Sequence, residues 1–339
     1  MRQNDSITDT ALRRGFKNSS TVEIKSYAKI NLSIDILGKL PNGYHSIRTV
    51  MQQVDLFDIV RVSVRPGGAD ARVLLSADAP VFCGEVFPTG EDNIAVRAAN
   101  VFIETFAPQF CGSVAIHLRK KIPLAAGLAG GSGNAAAVIL ALFHILTRRG
   151  AAFGSESPSA CTKRLMELGS RIGADVPFCI MGQAALNREL GLFSDSVSSC
   201  ALAEGVGEKL TPLPSPRGYA LIVKPAVSVS TAAVYGGFDP DAILKRPDTD
   251  ELAAALGAGD RRKIRKNMIN VLEISVIEEY PEIADIKETL AADSAAECAL
   301  MSGSGSSVFA WYSDRSACET LFRTFPRTGN TCVYMAELL

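Results

Sequence analysis

The first part of the chain alternates between apolar and polar residues in a way that predicts strands. This alternation covers residues 22–36, 58–64 and 72–76, and Pro- and Gly-rich loops separate these stretches. Apolar residues then recur at helical spacing over 94–106, directly after an Asp-Asn pair at 92–93 whose side chains can cap a helix. The pattern therefore predicts strands followed by a helix, as in a mixed α+β domain.

The middle of the chain joins a predicted strand, a glycine-rich loop and an apolar helix. Residues 114–118 are rich in β-branched side chains, and four glycines follow within seven residues (Gly127, Gly130, Gly131 and Gly133) before an apolar run that ends at Leu146. Glycines let backbone N–H groups approach phosphate oxygens, and a helix N-terminus favours negative charge. Ser132 and Asn134 lie where N-cap residues are expected. This stretch predicts a phosphate-binding loop.

Neither of the two common nucleotide loops matches this pattern. A Walker A loop places a lysine at the start of its helix, whereas this loop continues with Ser132, Gly133 and Asn134. A Rossmann fingerprint needs an acidic residue about twenty positions on, at the end of the next strand. The nearest candidate, Glu156, lies in the turn-rich segment GSESPS. A phosphate loop of another type and a loop that only packs a strand against a helix both stay open.

The chain after the central helix is less regular. Its pattern predicts a linker at 150–159, an amphipathic helix at 161–172 and a tight turn at 173–177. Residues 186–203 show no clear periodicity and predict no particular element. The Pro- and Ser-rich segment 211–217 is the expected domain boundary.

The last third mixes strands and helices. A strand over 219–224 precedes helices around 240–257 and 260–292. The chain then closes with a strand, a glycine turn of sequence SGSGSS, a second strand, a helix and a third strand; from the turn onward these cover 302–307, 308–312, 315–325 and 331–335. This order predicts a split ferredoxin-like domain.

Length and charge narrow the class of protein. With 339 residues the chain exceeds one typical hydrophobic core. We expect a disordered tail at 1–21, an N-terminal domain over 22–212 and a C-terminal domain over 213–339. The 35 basic and 36 acidic residues nearly cancel, so the charge balance favours neither a nucleic-acid partner nor a membrane partner.

Cysteine usage and the N-terminus bear on location. The eight cysteines form no CxxC pair and the three histidines cannot complete a zinc pattern, which predicts free thiols in a reducing cytoplasm and no protein-bound metal site. Residues 1–20 lack the apolar core of a signal peptide. The apolar part of 135–146 is too short to be expected to span a membrane.

Seven motifs occur in one order along the chain: YAKINL (27–32), NGYHSI (42–47), EDNIAVRAA (91–99), IPLAAGLAGGSGNAA (122–136), GADVPF (173–178), AEGVGE (203–208) and SGSGSSVFA (302–310). Together they resemble the GHMP kinases. The Lys-x-Asn and Gly-Tyr-His elements resemble the family within them that phosphorylates 4-diphosphocytidyl-2-C-methyl-D-erythritol for non-mevalonate isoprenoid biosynthesis. The resemblance covers roughly 22–339. It implies an N-terminal domain like ribosomal protein S5 domain 2 and a ferredoxin-like C-terminal domain.

The resemblance also implies roles for individual residues. Asp175 would be the general base, and Lys29 would keep that carboxylate ionised and stabilise charge on the substrate. The cytidyl substrate would be held by Tyr44 and His45 at its cytosine and by Asn31, Thr231 and Tyr235 elsewhere. ATP, with Mg²⁺ bridging its phosphates, would contact the loop and two residues outside it: Pro123, Leu124, Ala125, Ala126, Gly127, Leu128, Ala129, Gly130, Gly131, Ser132, Gly133, Asn134, Asn93 and Lys120.

Each implied role has an ordinary structural alternative. Asp175 could simply organise the turn before Pro177, Lys29 could be a strand lysine that snorkels to solvent, and Tyr44 and His45 could be exposed hairpin residues. Two other functions also stay open. One is another small-molecule kinase of the superfamily, of mevalonate or homoserine type, and the other is a non-catalytic nucleotide-binding regulator. The oligomeric state expected is a monomer or a weak dimer.

The sequence departs from the family pattern in three places. Gly133 stands where the family usually has a second serine, which predicts one hydroxyl fewer toward the phosphates or metal. Residues 187–200 form an apparent insertion before AEGVGE. The first twenty residues have no counterpart in the family.

Overall fold

The computed structural model describes residues 20–41, 43–80, 87–327 and 331–339. The predicted tail at 1–21 lies outside these residues, except that Ser20 and Thr21 begin the first strand. Asn42 of the predicted turn also lies outside them.

A six-stranded sheet forms the first half of the fold. Its strands are β1 (Ser20–Lys39), β2 (His45–Pro66), β3 (Ala71–Asp78), β4 (Gly112–Arg119), β5 (Cys200–Gly205) and β6 (Lys209–Leu213). The order is β3-β4-β2-β5-β6, with β1 along the other side of β2. Only the β3–β4 pair among these described strands is parallel. The predicted strands at 22–36 and 58–64 are therefore parts of two longer strands that pair with each other.

Four helices accompany this sheet: α1 (Ile94–Phe106), α2 (Gly130–Thr147), α3 (Pro158–Ser170) and α4 (Val176–Leu186). The predicted helix after the Asp-Asn pair is confirmed, because Asn93 is the N-cap of α1 and its side chain accepts a hydrogen bond from Ala95 N. Helix α2 is apolar on every side, as expected for a helix in the core. By length and composition it could cross a membrane, contrary to the expectation from 135–146, yet 72% of it is buried inside the protein.

The structure corrects two expectations about where helices begin. Helix α2 starts at Gly130 after Ala129, whose backbone is left-handed, so Ser132 and Asn134 lie inside the helix and are not N-caps. The predicted turn at 173–177 runs directly into α4, which carries Pro177 in its first turn. Proline is tolerated there because the first N–H groups of a helix have no intrahelical acceptor. Pro177, which the sequence pattern places at the end of a turn, therefore lies at the start of a helix.

A four-stranded antiparallel sheet forms the second half. Its strands β7 (Tyr219–Lys224), β8 (Cys298–Met301), β9 (Val308–Tyr312) and β10 (Cys332–Glu337) lie in the order β10-β7-β9-β8. The accompanying helices are α5 (Thr231–Gly236), α6 (Thr249–Ala258), α7 (Arg261–Asn267), α8 (Glu273–Glu279), α9 (Pro281–Ala291) and α10 (Arg315–Thr324). The β-α-β-β-α-β order confirms the ferredoxin-like prediction.

The region predicted as helical over 260–292 is helical but interrupted twice. Three helices, α7, α8 and α9, occupy this range. The chain leaves helical geometry at 268–272 because Asn270 pairs with Ile34 of β1 through the bridging bonds Ile34 N to Ile269 O and Val271 N to Ile34 O. The chain leaves helical geometry a second time at Tyr280, because the proline that follows disfavours the α conformation of this residue. The helix predicted at 240–257 likewise reduces to a short 3₁₀ turn and α6.

The two sheets meet along β1 and β2. Besides the Ile34–Asn270 bridge, Val54 pairs with Leu338 near the end of the chain. A buried hydrophobic cluster contains residues of both sheets, among them Ile30 and Phe309. The connection between β6 and β7 covers 214–218, and a domain division at 212/213 stays a prediction. The cavity described next lies where the two halves meet.

Candidate active site

A cavity of about 1040 Å³ opens between the first sheet, the glycine loop and the second half of the fold. Every residue that the sequence predicts for catalysis, ATP binding or acceptor binding lines it, with the exception of Gly133. Those residues come from both halves of the chain, so the fold brings together positions that are far apart in sequence. Their functional roles stay predictions.

Lys29 and Asp175 face each other in this cavity. Lys29 Nζ lies 3.5 Å from Asp175 Oδ2, with the lysine side chain 5% exposed and the aspartate side chain 36% exposed. Asp175 is the residue before α4, yet its side chain makes no capping hydrogen bond. The carboxylate is therefore available to a ligand.

A polar chain along β1 and β2 holds the lysine in place. Lys29 Nζ donates to Asn31 Oδ1 at 2.6 Å, and Asn31 Nδ2 donates to Thr49 Oγ1 at 2.8 Å. Thr49 Oγ1 in turn donates to Ser33 O at 2.6 Å. Because Asn31 uses its oxygen for Lys29 and its nitrogen for Thr49, its amide orientation is fixed. Asn31 and Thr49 both line the cavity beside Lys29.

The glycine loop has an unusual backbone. Ala125 and Ala129 adopt φ values of 45° and 54°, in the left-handed region that costs an alanine about 1–2 kcal/mol. Gly127 has a φ of 70°, and a Cβ there would lie 2.1 Å from Ser302 O. Lys29 N also donates to Leu128 O at 3.1 Å. Contacts with β1 and with Ser302 thus hold the loop in a shape that alanine alone would not favour.

The glycines after this turn face different surroundings. Gly131 is exposed, and a Cβ there would approach only Ile94 Cγ2, at 3.4 Å. Gly133 instead packs against β1, where a Cβ would lie 2.7 Å from Ser26 Oγ. A serine at position 133 would therefore begin inside the packed interface with β1. The expectation that Gly133 removes a hydroxyl from the phosphates is not supported by this placement.

The SGSGSS turn of the second sheet reaches the loop. Ser302 Oγ donates to Gly127 O at 3.0 Å and accepts from Asn31 N at 3.3 Å. Ser307 N donates to Ala126 O at 3.3 Å. Ser302 therefore joins the strand that carries Lys29 to the loop that is predicted to bind phosphate.

Aromatic and hydroxyl groups line the opposite end of the cavity. The rings of His45 and Tyr235 lie 5.7 Å apart between centroids, and Tyr44 beside them is 65% exposed. Thr231 Oγ1 and Ser304 Oγ are 2.8 Å apart. Burial and the negative charge of Asp175 raise the pKa of Tyr235 to about 12. This phenol therefore keeps its proton at neutral pH and can donate a hydrogen bond.

Two residues predicted to contact ATP are already engaged with protein groups. Asn93 Oδ1 accepts from Ala95 N at 2.9 Å, and its Nδ2 donates to Pro88 O at 2.6 Å. Lys120 is buried and pairs with Asp58. Both residues line the cavity. Direct contact with a nucleotide would add to these interactions.

Several cavity residues were missed from the sequence. Val206 and Gly207 of the AEGVGE motif line it, and a Cβ at Gly207 would lie 3.4 Å from Ala174 O, next to Asp175. Asp58, behind the loop, shares its strand face with the buried Val60 and Val62. A charged residue on the core-facing side of a strand is a signal that could have identified it.

The loop end of the cavity suits an anionic group. Exposed Gly131 and the N-terminus of α2 face it, which suits phosphate oxygens. Within the described ranges, no group of three His, Cys, Asp or Glu side chains could hold a metal ion. Asp92 and Asp175 are the carboxylates that line the cavity in the described part of the chain.

Comparisons with known proteins give the same picture. Residues 93–183 match the family described as GHMP kinases N terminal domain, and residues 251–331 match GHMP kinases C terminal. The chain is 39% identical over 312 residues to a 4-diphosphocytidyl-2-C-methyl-D-erythritol kinase of Alkaliphilus metalliredigens, covering 91% of this chain and 94% of the relative.

Solved structures agree with this assignment. One is a 4-(cytidine 5'-diphospho)-2C-methyl-D-erythritol kinase, with a TM-score of 0.68 and 27% identity over 93% of this chain and 99% of the other. A homoserine kinase from Cytophaga hutchinsonii also has a TM-score of 0.68, with 18% identity over 94% and 95% of the two chains. The second likeness shows the fold alone.

Proposed function

The chain belongs to the 4-diphosphocytidyl-2-C-methyl-D-erythritol kinases of the GHMP superfamily, and from this membership we propose that its cavity transfers the γ-phosphoryl group of ATP to the 2-hydroxyl of that cytidyl substrate. The proposed step belongs to non-mevalonate isoprenoid precursor biosynthesis. The observation that carries it is the Lys29–Asp175 pair, 3.5 Å apart, between the glycine loop and the His45–Tyr235 end of the cavity.

Asp175 is the proposed general base. Its uncapped carboxylate can accept the proton of the attacking hydroxyl as the phosphoryl group is transferred. Lys29 lies beside it and stabilises negative charge on the acceptor oxygen and on the phosphoryl group. Asn31 holds the lysine ammonium, so the charge stays at one position during the reaction.

The glycine loop is the proposed triphosphate site. Backbone N–H groups at the start of α2 supply donors, and Ser132 adds a hydroxyl that lines the cavity. Mg²⁺ would be held mainly by phosphate oxygens, with Ser132 and Asp175 as the protein groups nearest to them in this proposal. The ion would neutralise charge on the β- and γ-phosphates.

The far end of the cavity is the proposed cytidyl site. Tyr44 offers an exposed ring on which a base can stack, and His45 and Tyr235 offer polar edges beside it. Thr231 and Ser304 place hydroxyls between this end and the second sheet. A base held here would direct the methylerythritol portion toward Lys29 and Asp175.

An ADP-release assay with a panel of acceptors tests the proposal. We expect turnover with the cytidyl substrate and little with mevalonate or homoserine. Preferred turnover of mevalonate or homoserine would overturn the acceptor while leaving the kinase. A single-turnover experiment with radiolabelled ATP tests whether the chain is instead a non-catalytic nucleotide-binding regulator. Absence of phosphoryl transfer to any acceptor, despite tight ATP binding, would favour a nucleotide-binding regulator.

Partners and location are also part of the proposal. We propose a small-molecule enzyme of the cytoplasm, without nucleic-acid or membrane partners, that is a monomer or a weak dimer. Six cysteines in the described part of the chain are free thiols, which suits a reducing compartment: Cys111, Cys161, Cys179, Cys200, Cys298 and Cys318. Multi-angle light scattering over a concentration series would measure the oligomeric state.

A further inference from the structure

A buried polar cluster lies directly beneath the glycine loop. We define it as Ser26, Asp58, Lys120 and Asn134, all of which are buried. Lys120 and Asn134 also line the cavity. The Lys120 ammonium would lie 3.5 Å from a Cβ at Gly130, so the positive charge sits against the loop backbone. None of the cluster's carboxylate or hydroxyl groups belongs to the residues predicted for the reaction.

Asp58 contacts the chain at the beginning of the loop. Its Oδ1 accepts from Lys121 N at 2.7 Å and from Ile122 N at 2.9 Å, and its Oδ2 accepts from Lys120 Nζ in a short ion pair. Two backbone amides and one side chain therefore fix the segment that leads from β4 into the loop. Neutralising the Lys120 charge would require only the ion pair, so the two bonds from backbone amides indicate that Asp58 also holds this segment in place.

Asp58 also contacts the chain at the end of the loop. With its oxygen directed at the Lys120 ammonium, the Asn134 amide accepts from Lys120 Nζ at 2.9 Å. Its nitrogen then donates to Asp58 Oδ2 at 3.0 Å and to Ser26 Oγ at 3.2 Å. The opposite orientation would place an amide N–H group against an ammonium, so it is excluded by charge. One carboxylate thus joins residues 120–122 to residue 134.

We propose that Asp58 is a positioning residue for ATP, which clamps both ends of the glycine loop and holds the Lys120 charge beneath it. The inference rests on the proposed function only in that this loop binds the ATP phosphates. The loop contains left-handed alanines at 125 and 129, so its shape depends on fixed ends. Releasing one end would let the backbone N–H groups turn away from the phosphates.

The charge of Lys120 depends on the same carboxylate. Burial lowers the pKa of Lys120 from its ordinary value, and the Asp58 charge and hydrogen bond partly offset that effect. The Asn134 amide and the Phe87 ring, whose centroid is 5.7 Å from Nζ, also face the ammonium. Removing the Asp58 charge lowers the pKa of Lys120 further, so the lysine loses its proton at a lower pH.

The test is calorimetric titration of full-length Asp58→Asn with ATP and, separately, with the cytidyl substrate. We expect the ATP Kd to rise at least tenfold, with a rise that grows from pH 6 to pH 9. The Kd for the cytidyl substrate should change less than twofold, because its site lies at the other end of the cavity. The control is Asp70→Asn, which changes an exposed carboxylate in the loop directly before β3 and should behave as wild type.

The results separate this proposal from the function itself. If the wild-type protein binds no ATP, the proposed function is overturned. If the wild-type protein binds ATP and Asp58→Asn binds it with the same Kd, the proposed role of Asp58 is overturned and the proposed function is not. An equal loss for both ligands would indicate general loosening and would also overturn it. If Asp58→Asn does not fold, Asp58→Asn with Lys120→Met removes both buried charges. That variant must bind ATP more weakly than Lys120→Met alone, since the amides of 121 and 122 lose a charged acceptor.

Discussion

Adding one carbon atom at position 133 tests how closely α2 packs against β1. In Gly133→Ala the new Cβ would lie 2.7 Å from Ser26 Oγ and 3.4 Å from Tyr27 O. The first distance is too short for a Cβ contact, so the Ser26 hydroxyl, the strand or the helix must shift. Overpacking of this kind costs about 1–3 kcal/mol, against a gain of about 1 kcal/mol from replacing glycine inside a helix.

Removing the serine hydroxyl should relieve that contact. Ser26→Ala alone loses the hydrogen bond from the Asn134 amide, worth about 1 kcal/mol. In Ser26→Ala with Gly133→Ala the clash is absent and the helix gain remains. The double variant should therefore be more stable than the sum of the single variants predicts, by about 1–3 kcal/mol.

Urea unfolding followed by circular dichroism and by ATP binding measures this coupling. Gly257→Ala is the matched control, because Gly257 also lies in a helix and a Cβ there meets nothing within 4 Å. We expect the control to raise the free energy of unfolding by about 0.5–1 kcal/mol. Additive single variants, with a coupling below about 0.5 kcal/mol, would mean that Ser26 does not occupy this space.

Three further predictions concern the proposed reaction. Asp175→Asn should lower kcat by ~10²–10⁴-fold with little change in substrate Kd, and near-normal kcat in the folded variant would exclude it as the base. Gly131→Val should weaken ATP binding in calorimetry and spare the cytidyl substrate, because it puts a branched side chain in the proposed phosphate site; unchanged ATP binding would place the phosphates elsewhere. Tyr44→Ala should raise KM for the cytidyl substrate by an amount equivalent to roughly 1–3 kcal/mol of stacking, with Tyr44→Phe mild and the KM for ATP unchanged; two silent variants would leave a kinase with a different acceptor.

Local patterns were sufficient where the residues and their neighbours are close in sequence. The glycine loop, the Asn93 cap and the order of the C-terminal strands all follow from periodicity and from small or capping residues. The same reasoning failed at Pro177, because proline ends one turn and begins a helix with equal ease. It also failed at 268–272, where pairing with β1 interrupts a helical pattern.

The site was predictable only in part, for a related reason. Motif resemblance predicts Lys29 and Asp175 as the catalytic pair, but their 3.5 Å separation depends on how two distant segments pack. The motif also does not predict the direction in which a side chain points. The family pattern suggested a hydroxyl missing at position 133, whereas the structure shows that this position faces Ser26. Asp58 was not recognised because an aspartate in an alternating strand is usually interpreted as solvent-facing.

The contact between Ser302 and Gly127 can form only late in the synthesis of the chain. The two residues are 175 positions apart, and Ser302 fixes both the loop and the strand that carries Lys29. A growing chain on the ribosome can form the first sheet long before Ser302 has been translated, since N-terminal units fold first. The glycine loop would then lack the hydrogen bond that Ser302 Oγ donates to Gly127 O. The arrangement of the loop against β1 is therefore completed only after the segment around Ser302 has left the exit tunnel and packed against both.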